Sequence, residues 1–111
     1  MNEFSGVIQD GNSVKTALGI VHCTPPDGAS KEVILAIRPE DVALSYQPSG
    51  QTNEFSAQLL SRLFLGDITV YDLSANGQKI RGKTAGIDRR LEPGNSVYLR
   101  LPAEKLKIFP K

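Results

Sequence analysis

The sequence predicts an all-β fold. Helical periodicity is nearly absent, short apolar segments bounded by Gly, Pro, Asn and Ser recur throughout, and Asn76-Gly77 sits between two strand-like runs. Strands are expected at 3–9, 13–22, 32–38, 53–65, 67–74, 78–85 and 96–101. The first two are bounded by such punctuation and end before the longer loop Thr24-Pro25-Pro26-Asp27-Gly28. Val33 to Ile37 is apolar on both faces, which suits a central strand. Gln47-Pro48-Ser49-Gly50-Gln51 is a second long loop and separates this region from 53–65. Asn76-Gly77 then joins 67–74 to 78–85, both residues accepting the positive φ of a type I′ hairpin turn. Pro93-Gly94 marks a turn before the last long strand, where Val97, Leu99 and Leu101 alternate with Tyr98 and Arg100 and so bury one face.

An internal repeat divides the chain. Asn2-Glu3-Phe4-Ser5-Gly6 returns as Asn53-Glu54-Phe55-Ser56-Ala57, fifty-one positions later. Residues 33–44 lie over 97–108 at an offset of 64, keeping the apolar rhythm and the Glu, so the second copy is longer by thirteen residues. The expected organisation is a first β unit at 1–46, a linker at 47–52 and a second β unit at 53–111, related to one another and packed together.

At 111 residues and 12.0 kDa the chain is too short for a large multi-domain enzyme, and 40% apolar with 23% charged residues is ordinary globular composition. No apolar run approaches the roughly 20 residues that span a bilayer, and the first residues lack the pattern of a secretory signal. The single cysteine, Cys23, excludes an internal disulfide, and the single histidine, His22, is too poor in soft neighbours for a metal site. The net charge of +1 conceals an asymmetry, about −3 over residues 1–50 and +4 over 51–111. Such a split is a common property of solvated surfaces and also occurs at nucleic-acid faces.

Gly77-Gln78-Lys79-Ile80-Arg81-Gly82-Lys83-Thr84 satisfies the phosphate-loop pattern G-x-x-x-x-G-K-[ST]. That chemistry requires the loop to open a helix whose terminal amides face the phosphates. The residues after Thr84 include Gly86 and Pro93-Gly94 and make poor helix, so Gly77, Gly82, Lys83 and Thr84 are read as a false match, with Gly77 belonging to the hairpin. His22 and Cys23 are adjacent, and neighbours on a strand point to opposite faces, so they are expected to be a strand end and not a catalytic pair. Glu40-Asp41 follows a proline and is expected to cap a turn. Pro39 pushes Arg38 into an extended conformation and ends its strand, leaving the two carboxylates to meet backbone donors or to pair with Arg38.

Residues 34–46, with Arg38-Pro39-Glu40-Asp41 at their centre, resemble the signature of the TOBE domain, the C-terminal regulatory part of ATP-binding subunits in bacterial import ABC transporters of the maltose, polyamine and ferric-iron type. Asn53-Glu54-Phe55-Ser56-Ala57, Phe64-Leu65-Gly66-Asp67 with Tyr71, Glu92-Pro93-Gly94-Asn95-Ser96-Val97 and Lys105-Leu106-Lys107-Ile108-Phe109 follow in the family's order. The resemblance implies an OB-like β-barrel architecture and a C-terminal fragment of a longer ATPase chain. It also implies a mainly structural part for Arg38, Pro39, Glu40, Asp41, Gly66 and Gly94. The Ser-Ala-Arg-Asn pattern common in molybdate-binding relatives is absent.

The expected function is regulatory: a non-catalytic dimerisation module that couples the docking of an effector or partner to solute import. No cofactor is expected in this fragment, ATP and magnesium belonging to the nucleotide-binding domain that would precede it. The implied partners are that domain, a second ATPase subunit in a homodimer, and a regulatory protein or small effector. Location would be cytoplasmic, meeting the membrane only through the transporter. The alternative is an OB-type single-strand nucleic-acid binder using Lys79, Arg81, Lys83, Arg89 and Arg90. That stretch lacks the interleaved aromatics such a surface uses, and the chain has no Trp.

Overall fold

Asn76 and Gly77 adopt φ of 48° and 76°, so the expected two-residue turn forms and joins β7 (Ile68–Ala75) to β8 (Gln78–Ala85). The computed structural model describes residues 1–28 and 31–111. The remaining strands are β1 (Asn2–Asp10), β2 (Ser13–Thr16), β3 (Gly19–His22), β4 (Glu32–Ile37), β5 (Ala43–Ser45), β6 (Glu54–Phe64), β9 (Ser96–Arg100) and β10 (Lys107–Pro110). They build two curled five-stranded sheets, ordered β10-β4-β1-β2-β3 and β5-β9-β6-β7-β8, every pair antiparallel. The fold is therefore all-β, with the OB-like architecture expected from the sequence, in a body of 44 × 23 × 21 Å.

Two expectations about strands change. The segment 13–22 is a tight hairpin and not one strand: Thr16 pairs with Gly19, and its hydroxyl accepts from Leu18 N and donates to Gly19 O. Gly19 supplies the φ of 131° that closes this turn. The short strands β5 and β10 were not expected. Each follows a 3₁₀ turn, Pro39–Asp41 and Ala103–Lys105, and each adds to the sheet begun in the other half of the sequence.

This exchange follows the repeat residue by residue. The offset of 64 carries β4, its 3₁₀ turn and β5 onto β9, its turn and β10. It also carries the register Leu44↔Leu99 onto Ile108↔Leu35. At the offset of 51, the irregularity between Ile8 and Asp10 in β1 recurs between Leu59 and Ser61 in β6. Beyond that point the halves diverge. β1 closes at once onto Ser13, whereas β6 runs on to Phe64 and returns as β7, which accounts for the longer second copy.

One continuous core joins the sheets, with Phe4, Val14, Leu35 and Ile37 from the first and Leu59, Tyr71, Leu73 and Leu99 from the second. In β9, Val97 and Leu99 are buried and Tyr98 and Arg100 are half-exposed, as the alternation requires. β4 is central because β10 covers its second edge, which is why Ala36 is buried along with Val33, Leu35 and Ile37.

The repeated asparagines fasten the halves together. The Asn53 side chain accepts from His22 N at 2.7 Å and donates to His22 O at 2.9 Å and Leu101 O at 3.1 Å. The Asn2 side chain accepts from Arg81 N and donates to Arg81 O, both at 2.8 Å. Each buried amide thus acts as a one-residue strand partner for the outermost strand of the opposite sheet, satisfying both its backbone groups at that point.

Candidate functional site

The phosphate-loop match lies along the β7–β8 turn and strand β8, with no helix after Thr84. Gly82 is an inward-facing strand residue where a Cβ would stand 2.9 Å from Leu44 Cδ1, so its smallness serves packing of β5 against β8. Lys79, Arg81 and Lys83 alternate on the exposed side of β8 while Ile80 and Thr84 face inward.

Arg38 is extended, with φ of −71° and ψ of 146°, and Pro39 opens the 3₁₀ turn, as expected from the Arg-Pro pair. Among the described residues the capping role expected of Glu40 and Asp41 is not observed. Asp41 N donates to Arg38 O at 2.9 Å and Val42 N to Pro39 O at 3.4 Å, so backbone carbonyls meet the turn's donors. Among the described residues neither carboxylate pairs with Arg38. Gly66 and Gly94 have φ of 98° and 91°, and Gly94 N donates to Leu59 O at 2.8 Å. His22 is exposed and Cys23 buried, as neighbours on opposite faces should be, and burial pushes the Cys23 thiol pKa up. No grouping of three metal-ligating side chains occurs among the described residues.

Three surface features remain. A cavity of about 580 Å³ separates the two outer strands of the second sheet, β5 and β8. Its lining includes Glu40, Val42, Leu44, Ile68, Lys83 and Thr84, so the Arg-Pro-Glu-Asp turn and the end of β8, far apart in sequence, border the same cavity. A second cavity, of about 470 Å³, is lined by Asn2, Ser61, Asp72, Lys79 and Arg81. There Asp72 accepts from Arg81 Nε at 3.0 Å and from the Ser61 hydroxyl at 3.1 Å, and the Arg81 hydrogen bond foremost holds the Asp72 carboxyl below its usual pKa. The third feature is apolar: Leu60, Leu63, Phe64, Leu65 and Ile68 are exposed on the β6–β7 extension, Leu63 at 60% and Leu65 at 59%. Leu60 lies in the irregularity that both halves share, and the other four lie beyond the point where the halves diverge.

Sequence reasoning missed the asparagine clamps and this apolar extension. The repeated Asn-Glu-Phe-Ser marked the first. Phe64-Leu65, apolar on consecutive residues of a strand end, carried the second, since one of two neighbours on a strand must face out.

Comparison with known proteins places these features in context. The Molybdate/tungstate import ATP-binding protein WtpC of Pyrococcus abyssi (strain GE5 / Orsay) is 27% identical over 109 residues, covering 94% of this chain. This chain spans only 30% of that relative's length. The cytoplasmic molybdate-binding protein ModG, in a crystal form with molybdate bound, superposes with a TM-score of 0.80 at 15% identity, covering 99% of this chain and 96% of that one, a likeness of fold. Residues 35–109, which contain the Arg-Pro-Glu-Asp turn, both exchanged strands and the asparagine-anchored start of β6, match the TOBE domain, and the chain belongs to that family.

Proposed function

We propose that this chain is a regulatory module of an ABC importer's ATP-binding subunit, biasing the association of two such subunits according to what docks on its β surface. The observation that carries this reading is the exposed apolar extension of β6 and β7, because several large apolar side chains left uncovered on one hairpin mark a contact site. Its proposed occupant is the nucleotide-binding domain of the same subunit, since the similar importer subunit has a further 70% of its length outside the matched part. ATP and magnesium would reside in that domain, a second subunit would complete a homodimer, and the assembly would lie on the inner face of the membrane through the transporter. Among the described residues no helix is long and apolar enough to cross a membrane. The solute in the similar subunit's name, molybdate or tungstate, differs from the maltose, polyamine and iron classes that the sequence signature suggests.

The nucleic-acid reading is not favoured. Of its five cations, Arg81 is paired with Asp72, while Arg90 is paired with Asp88 and stacked 4.1 Å above the Tyr46 ring. Deleting this region from the full-length transporter should leave basal ATP hydrolysis intact while abolishing control by the effector. A docked effector must favour one state by about 1–3 kcal/mol, or roughly 5- to 150-fold, to be read as control. Loss of hydrolysis in a truncated transporter that remains folded and assembled would overturn the assignment.

A further inference from the structure

The tip of the β6–β7 hairpin is apolar on both of its faces. Leu63 lies opposite Val70 and Phe64 opposite Thr69, and Leu65 N donates to Ile68 O at 2.8 Å, so the register runs past the end of β6 and sets Leu65 opposite Ile68. Alternation then puts Leu63, Leu65, Ile68 and Val70 on the outer face as two adjoining cross-strand pairs. Phe64 falls on the other face with Thr69 and Tyr71, yet it stays outside the core and is 46% exposed. The tip is also held in shape. Gly66 supplies a φ of 98° at the two-residue turn, and from the end of β8 Gly86 N donates to Asp67 O at 2.7 Å while Gly86 O accepts from the Thr69 hydroxyl. Nothing in the paired β units demands such a tip, because the first half turns back at Asp10 and Ser13 without one.

We propose that residues 63–68 insert as a wedge into an apolar cleft of the nucleotide-binding domain in the same subunit, with Leu63, Leu65 and Ile68 against one wall and Phe64 against the other. A flat partner would cover the outer face and leave Phe64 in water, whereas a cleft removes both faces from it. Because the tip is shaped before contact, it loses little conformational freedom on docking. The leading residue decides between a protein cleft and a bilayer. Asp67 stands exposed at the turn, and among the described residues its carboxylate is in no ion pair. A carboxylate that enters first is costly in hydrocarbon, but the floor of a cleft can meet it with a cation or with backbone N–H groups. The occupant follows from the length of chain outside the matched part of the similar importer subunit, of which this chain spans 30%. The inference rests on the regulatory reading for its partner, while the two-faced tip stands without it.

The test compares hydrogen exchange, read by mass spectrometry, in the full-length subunit and in the 111-residue chain. The amides of Gly66 and Asp67 are expected to exchange at least about tenfold more slowly in the full-length subunit. Leu65→Ser and Phe64→Ser, one on each face, and Asp67→Lys at the turn should each return about tenfold of that rate. Ile20→Ser, at an exposed apolar position on the first sheet, should change nothing. Unfolding midpoints of the 111-residue variants report that the fold is intact, and Phe64→Lys, whose stem still covers the strand end, replaces Phe64→Ser if that variant unfolds. An unprotected tip in the full-length subunit overturns the proposal, and so does sensitivity to Leu65→Ser but to neither Phe64 variant, the pattern of a flat contact. Protection that grows with protein concentration belongs to a second subunit and overturns it as well. Tighter binding of Asp67→Lys than of the parent to phosphatidylglycerol vesicles overturns it in favour of a bilayer. A protected tip in a transporter whose effector control survives deletion of this region would sink the regulatory reading and leave the wedge standing; control lost on deletion with the tip unprotected would do the reverse.

Discussion

Replacing Asn53 by Ala should be among the costlier polar-to-alanine changes in this chain. Asn53 is 6% exposed and its side chain makes three hydrogen bonds, spanning from β3 to the end of β9. It also holds φ of 64°, a left-handed conformation that asparagine tolerates and alanine does not. Each bond contributes about 1 kcal/mol net and the left-handed backbone costs a β-carbon residue about 1 kcal/mol more, so a loss of about 3–4 kcal/mol is expected. Asn2→Ala forfeits two bonds at an extended position, giving about 2 kcal/mol. Equilibrium unfolding in urea would measure both through the transition midpoint at constant slope. Asn53→Asp adds a sharper probe. It keeps the backbone tolerance and the acceptor toward His22 N, but turns a carboxylate toward the carbonyls of His22 and Leu101. Its folded pKa is then raised above the unfolded value, so its deficit relative to the parent is smallest below the unfolded pKa and grows as pH rises through the folded one. If Asn2→Ala proved equal to or worse than Asn53→Ala, or if the aspartate variant gained nothing in acid, the clamp account would be wrong.

Leu99 is fully buried between Leu44 on β5 and Phe55 on β6, and Leu35 occupies the corresponding place between Ile108 and Phe4. Leu99→Ala and Leu35→Ala should each cost about 2–5 kcal/mol, within roughly 1 kcal/mol of one another, in the same urea experiment. Glu54 accepts from Ser49 N, Ser49 Oγ and Gly50 N, and the Ser49 hydroxyl foremost depresses its carboxyl pKa. A depressed folded pKa contributes stability that is complete above the unfolded carboxylate pKa and lost as pH falls through the folded one. A ¹³C NMR titration should therefore find Glu54 below the usual glutamate range, and Ser49→Ala should raise it.

Legibility tracked how local each cause was. Asn76-Gly77, the alternation of Val97 to Leu101 and the doubly apolar Val33–Ile37 all act within a few residues, and each produced the expected element. The split at Ala17-Leu18 was harder to read because its signal was a single Gly19 inside an otherwise apolar run. β5 and β10 are three and four residues long and form only because an edge in the other half stands open, which no window of sequence reports. The repeat did contain that information: two copies of strand, turn and strand at a fixed offset are what reciprocal pairing needs. The cavity between β5 and β8 was invisible for the same reason, since the 3₁₀ turn at Pro39–Asp41 and the end of β8 come to line one space only after the sheet curls.

The strand exchange also governs how the chain can be made. β4 emerges from synthesis long before β10, so its outer edge, with Ile34 and Ala36 upon it, stays unpaired while everything between is translated. An exposed apolar edge strand recruits whatever strand is nearest, including that of a neighbouring nascent chain. Neither half can complete its sheet before the other has contributed a strand, so closure becomes one late event that depends on contacts distant in sequence and is correspondingly slow. A chain ending just short of Lys107 would leave that edge open permanently and should accumulate as aggregate, where the full chain stays dispersed.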